Sequence, residues 1–135
     1  MDWEKCEKIF IRKVEIDNHR ISSIVSKAQG RKKFIEQFEV TEDNVSFIIE
    51  GYYEIIKELL VAYLLKNGLR SKNHQCLITY FYRKNPTHES EIKLITQMSY
   101  YRNRLNYYGE SIPTNFYYKH KDEILKIVKL IESLL

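Results

Sequence analysis

The stretch Ser99-Tyr100-Tyr101-Arg102-Asn103-Arg104-Leu105-Asn106-Tyr107-Tyr108-Gly109 gathers two arginines, two asparagines and four tyrosines within eleven residues. Arginine grips phosphate through a planar, bidentate fork. Asparagine can hydrogen-bond a base edge or a ribose, and tyrosine can stack on a base or donate its hydroxyl. On a helix Arg102 and Asn106 share a face, as do Asn103 and Tyr107. A helix C-terminus that favours positive charge and ends on glycine would account for Arg104 and Gly109 alone. It accounts poorly for the two asparagines, which are weak helix formers. Arg102, Asn103 and Tyr107 therefore lead the candidate site residues. Tyr101, Arg104, Asn106 and Tyr108, with Lys72 and His74 from further up the chain, are the candidate nucleic-acid contacts.

The charge distribution points the same way. The 135 residues carry a net charge of +4, but unevenly. Residues 1–58 hold ten bases and twelve acids, residues 59–109 hold eight bases and only Glu89 and Glu91, and residues 110–135 hold four of each. The middle block thus stands at +6 and ends on the arginines. There are eleven tyrosines against two alanines, and most of the tyrosines lie in or beside that block. Cations neutralise phosphates and rings stack on bases, so the combination suits a polyanion that also offers flat bases. The competing reading is a solvated basic face with tyrosines in the core and rim.

Other chemistries find little support. His19, His74, His88 and His120 are scattered, without metal-ligand spacing, so neither metal nor cofactor is expected. The four glycines occur singly, which excludes a glycine-rich phosphate loop, and no GxSxG elbow is present. Cys6 and Cys76 are too few for a disulfide scaffold, and each falls on an apolar helical face, so buried thiols are expected. The charged start MDWEKCEK is unlike a signal peptide. The most apolar stretch, 45–65, contains Glu50, Glu54, Lys57 and Glu58, which excludes an ordinary membrane span. These features predict a cytoplasmic protein.

The elements that must position the motif are helical. Glycine and proline together number six, too few for the turns of an all-β fold. Trp3, Cys6, Phe10 and Val14 step by three and four, as do Ile21, Ile24, Val25 and Ala28, with Asp17-Asn18 interrupting the stripe. Residues 3–38 therefore read as one helix or two. Thr41–Asn44 offer caps for a helix bearing Ile48, Tyr52, Ile55, Leu59 and Ala62, widened by Ile49, Ile56, Leu60 and Tyr63 and stopped by Asn67-Gly68. That breadth makes it the central helix. Ser71 is the candidate cap for a shorter helix ending at Asn85-Pro86, Thr87 for the helix ending at Gly109, and Thr114 or Asn115 for the last one. No segment alternates long enough to predict a strand. The expected architecture is an all-α antiparallel bundle of about five helices, forming a single domain over residues 1–135.

With Arg102-Asn103 late in the chain and GYYEIIKELLVAYLLKNGLRSKNHQCLITYF before it, the sequence resembles the HEPN (higher eukaryote and prokaryote nucleotide-binding) family in its archaeal pattern. The resemblance covers roughly residues 43–135, with RNRLNYYG as the end of the signature helix. It implies a homodimer whose interface gathers the signature arginine and histidine, and in many members a metal-independent ribonuclease. In these, histidine moves protons while arginine stabilises the phosphorane, so the resemblance implies Arg102, Asn103 and Tyr107 as the candidate catalytic residues. It also implies RNA or a nucleotide as ligand. The partner could be a nucleotidyltransferase, as the antitoxin to a ribonuclease toxin. Where the signature carries histidine this chain carries Tyr107, and a free phenol titrates only at about pH 10, too high for a general base at neutrality. A non-catalytic RNA-binding or docking module is the alternative. A third reading is a purely structural helical adaptor with tyrosine anchors. An ideal helix places residues five apart about 140° from each other. On that ground Arg102 and Tyr107 are expected to meet only if the last turn unwinds or a two-fold axis brings two copies together.

Overall fold

The computed structural model describes residues 2–135. It is about 75% helical, with six α-helices and one two-stranded ribbon among the described residues, so the all-α bundle expected from periodicity holds. A short N-terminal helix, α1 (Trp3–Lys5), runs into a π-helical turn (Cys6–Phe10) and strand β1 (Ile11–Lys13). Then come α2 (Asn18–Glu36), α3 (Val45–Lys66), strand β2 (Leu69–Ser71), α4 (His74–Lys84), α5 (Glu89–Tyr108) and α6 (Thr114–Ser133).

Helix α3 is the centre, as its broad apolar surface predicts. Fourteen of its residues are buried, including every member of the stripe Ile48, Tyr52, Ile55, Leu59 and Ala62. Helices α2, α4, α5 and α6 all pack against it. Helix α2 comes closest at Gly51, where a β-carbon would stand 3.1 Å from Ile35 Cγ2. Asn67 and Gly68 end α3, and Gly68 adopts a left-handed φ of 73°. The extended β2 then carries the chain back along α3. An extended residue advances about 3.3 Å, more than twice the rise of a helical one, so a short strand retraces several helical turns. His74 at the start of α4 therefore sits beside Tyr53, and Phe81 near its end packs on Tyr63 (ring centroids 6.5 and 5.4 Å).

The N-terminal segment departs from its helical reading. Ile11–Lys13 pair antiparallel with Leu69–Ser71, with Arg12 opposite Arg70. A three-residue strand is too short for its alternation to register in sequence, and its partner lies almost sixty positions away. Asp17 does interrupt the stripe: it caps α2, its carboxylate accepting from Arg20 N–H. The two cysteines correct another expectation. Both are buried, yet they form a disulfide, Cys6–Cys76, with Cα atoms 5.5 Å apart and 70 positions between them. Beside this bond, Trp3 packs on Tyr80 and Arg83 lies over the Trp3 ring. The N-terminal arm is thus tied to the start of α4.

Several caps fall elsewhere than expected. Asn73, not Ser71, caps α4, its side chain accepting from Cys76 N–H, while Ser71 Oγ accepts from Asn73 N–H. His88 rather than Thr87, and Pro113 rather than Thr114 or Asn115, precede the last two helices. Gly109 ends α5 in the left-handed region (φ 66°), with Glu110 N–H closing back on the Arg104 carbonyl. The loop that follows is pinned beneath α3, because buried Ile112 N–H donates to buried Ser46 Oγ at 2.8 Å. Ser46→Ala strands that donor, and is expected to lower unfolding stability by about 1–3 kcal/mol in chemical denaturation.

Candidate functional site

Arg102 projects from α5 against α3. Its Nη2 reaches Glu54 Oε1 at 3.5 Å, Nη1 reaches Asn103 Oδ1 at 3.4 Å, and its guanidinium carbon lies 6.0 Å from the Tyr53 ring centre. The Asn106 amide, in the orientation that satisfies both neighbours, accepts from Arg102 Nε at 3.2 Å and donates to Glu50 Oε2 at 2.7 Å. The fork is aimed by these contacts without being saturated, since three of its five N–H donors are engaged and two of those bonds are long. Glu54 also pairs with Lys57 at 2.6 Å, so the arginine is oriented without being matched one-to-one by an acid.

Opposite Arg102 lies the start of α4. His74, Lys72 and Asn73 line one side of an open groove of about 340 Å³, with Ser99, Arg102, Asn103 and Tyr107 of α5 on the other. The buried Tyr53 hydroxyl lies 3.4 Å from Ser99 Oγ beneath it. Burial, then Lys57 and Arg102, push the His74 imidazole below its ordinary pKa, with Glu54 pulling weakly the other way. The ring is therefore neutral at pH 7 and free to accept a proton.

Neither an unwound turn nor a second copy is what brings Arg102 and Tyr107 together. Helix α5 remains helical through Tyr108, yet both residues line the same groove of a single chain. Ser99 and Asn103 lie between them around the helix, so the groove covers a face about 140° wide. The two long side chains mark its edges, and Tyr107 stands at the rim, 73% exposed.

Of the nine residues singled out from sequence, five come together: Lys72, His74, Arg102, Asn103 and Tyr107. Asn106 acts from behind, holding Arg102 against Glu50. Arg104 and Tyr108 lie outside the groove. Arg104 pairs with Glu110 and stacks over Tyr108 with its guanidinium carbon 4.6 Å from the ring centre. The Arg104 hydrogen bond and charge hold the Glu110 carboxyl below the usual range. Tyr101 packs on the core residue Phe116, ring centroids 4.8 Å apart. Sequence reasoning missed Ser99 and Asn73, and above all the support from α3. Its signal was present: Glu50, Glu54 and Lys57 are charges inside the most apolar stretch of the chain, and burying them requires partners.

Among the described residues no three His, Cys, Asp or Glu side chains gather to hold a metal ion, and no helix is long and apolar enough to cross a membrane. No family model, curated protein or solved structure matches the chain.

Proposed function

We propose that the protein binds single-stranded RNA in the groove between α4 and α5 and cleaves it by internal transesterification, as a HEPN-like ribonuclease. The observation that carries this reading is the convergence of His74 and Arg102, from segments 28 positions apart in sequence, on one groove. A proton acceptor beside a phosphate-gripping fork is the minimum that RNA transesterification needs. His74 takes the proton from the ribose 2′-hydroxyl, and that oxygen bonds to the adjacent phosphorus. Arg102 stabilises the charge on the equatorial oxygens. The bond from phosphorus to the 5′-oxygen breaks, and the Tyr107 hydroxyl donates its proton to the departing oxygen. The products are a 2′,3′-cyclic phosphate and a free 5′-hydroxyl, and His74 returns its proton to Tyr107 through solvent.

A homodimer, and a nucleotidyltransferase-type antitoxin, belong to the same reading, in which the groove is shared or blocked. So does a cytoplasmic location. The disulfide then requires a less reducing cytosol, as in hyperthermophilic microbes, because thiols elsewhere in the cytosol are kept reduced. The exposure of Tyr107 at the rim favours one second reading, an RNA- or nucleotide-binding module without catalysis. A metal-free cleavage assay separates the two, since binding without scission supports the second.

The pH profile tests the role of His74. Its pKa lies below the ordinary value of about 6.5, so single-turnover cleavage is expected to be flat around neutral pH and to fall on the acid side only below about pH 6.5. Lys57→Gln removes a repulsive charge and is expected to move that fall to higher pH, while a profile indifferent to Lys57 removes His74 as the base. The same shift affects stability. Below pH 6.5 the unfolded chain binds the His74 proton more readily than the folded one, so the stability contribution of the neutral imidazole is lost as pH falls.

A further inference from the structure

The ribbon beside the groove contains an electrostatic conflict. Arg12 and Arg70 are direct partners across the two-stranded ribbon. Directly opposed side chains on one face approach to within about 5.5 Å, and like charges there destabilise the pair. Neither arginine, nor the neighbouring Lys72, forms an ion pair with a carboxylate among the described residues. Of the other five arginines three have a carboxylate partner, Arg31 with Glu58, Arg102 with Glu54 and Arg104 with Glu110, while Arg83 lies over the Trp3 ring.

These three cations line a cleft of about 310 Å³ together with Ile9, Phe10 and Asn73. Lys72 and Asn73 also line the Arg102 groove, so the cleft adjoins that groove. The cleft offers flat apolar surface as well as charge, with Phe10 half-buried and Ile9 63% exposed. Repeated cations beside an apolar platform fit a strand of alternating phosphates and bases.

We propose that the Arg12–Arg70 pair is a second phosphate subsite, which holds the continuation of the RNA strand whose scissile phosphate sits at Arg102. This inference rests on the groove being an RNA site, and the experiment keeps the two apart. Binding of a dinucleotide and of a twelve-nucleotide RNA is measured by fluorescence anisotropy over a salt series. The proteins compared are wild type, the Arg12→Gln/Arg70→Gln double variant and Arg102→Ala. The double variant is expected to bind the long RNA roughly tenfold more weakly, with a salt slope shallower by about 0.7 for one phosphate of a single strand no longer neutralised, or about 1.4 for two. Its dinucleotide binding is expected to be unchanged. Its melting temperature is expected to equal or exceed that of wild type, since the substitution relieves repulsion. If the long RNA binds the double variant with unchanged affinity and slope while Arg102→Ala weakens both RNAs, the subsite is wrong and the groove stands. If the double variant weakens the long RNA and Arg102→Ala weakens neither, the arginine pair binds RNA on its own and both the groove reading and the shared strand fail. Displacement of RNA by polyglutamate of matched charge at equal concentration overturns the subsite in favour of an acidic peptide.

Discussion

Arg102→Ala is expected to lower metal-free RNA cleavage by at least about a hundredfold, the usual loss when one preorganised donor to a developing oxyanion is removed. The fold is expected to survive the change. Glu54 keeps its 2.6 Å partner Lys57 when Arg102 is removed, and Asn106 keeps Glu50. The 3.5 Å ion pair joins side chains only 20% and 19% exposed, and the loss of such a charge-assisted bond costs about 1.5–3 kcal/mol. Arg102→Lys retains the charge but loses the planar fork, so it is expected to recover RNA binding more fully than turnover. Cleavage and binding measured side by side, with a melting curve for each variant, check the outcome. Cleavage by Arg102→Ala at the wild-type rate refutes the catalytic assignment of the groove.

The second large effect concerns the fold. The Cys6→Ala/Cys76→Ala double variant is expected to lose about 2–4 kcal/mol, because the bond closes a long loop and restricts the unfolded chain. For a chain of this length that corresponds to a fall in melting temperature of roughly 10 °C. Wild-type protein unfolded in strong reductant is expected to melt at nearly the same temperature as the variant. Equal melting of wild type with and without reductant shows that the cysteines do not form this bond. The loss also reaches the groove. Cys76 lies in the first turn of α4, its N–H held by the Asn73 cap, and His74 and Lys72 flank that cap. Freeing the arm removes the covalent tie that reinforces the pairing of β1 with β2, so RNA binding is expected to weaken along with stability.

The helices themselves were legible because each is a local matter. A stripe such as Ile48–Tyr52–Ile55–Leu59–Ala62 needs only its own spacing and a stop at Asn67-Gly68 to be read as helix, and its breadth marked it as central. The motif at Arg102–Tyr107 was legible for the same reason, since its residue types are adjacent in the chain. The caps were less so. Ser71, Asn73, Thr87 and His88 lie within a residue or two of one another's roles, and the choice depends on where the preceding loop leaves the backbone.

By itself, then, the sequence determined that the protein is built of helices, that α3 is its axis, and that an arginine-asparagine-tyrosine surface closes α5. Tertiary structure alone decided what that surface meets. The extended β2 returns α4 along α3 and so brings His74 to Arg102, Glu50 and Glu54 reach in from the buried helix to hold the arginine, and Cys6 joins Cys76 across 70 positions. Each of these pairings lies between segments far apart in the chain. The free energy that selects them comes from packing the whole core, and no local pattern of residues encodes it.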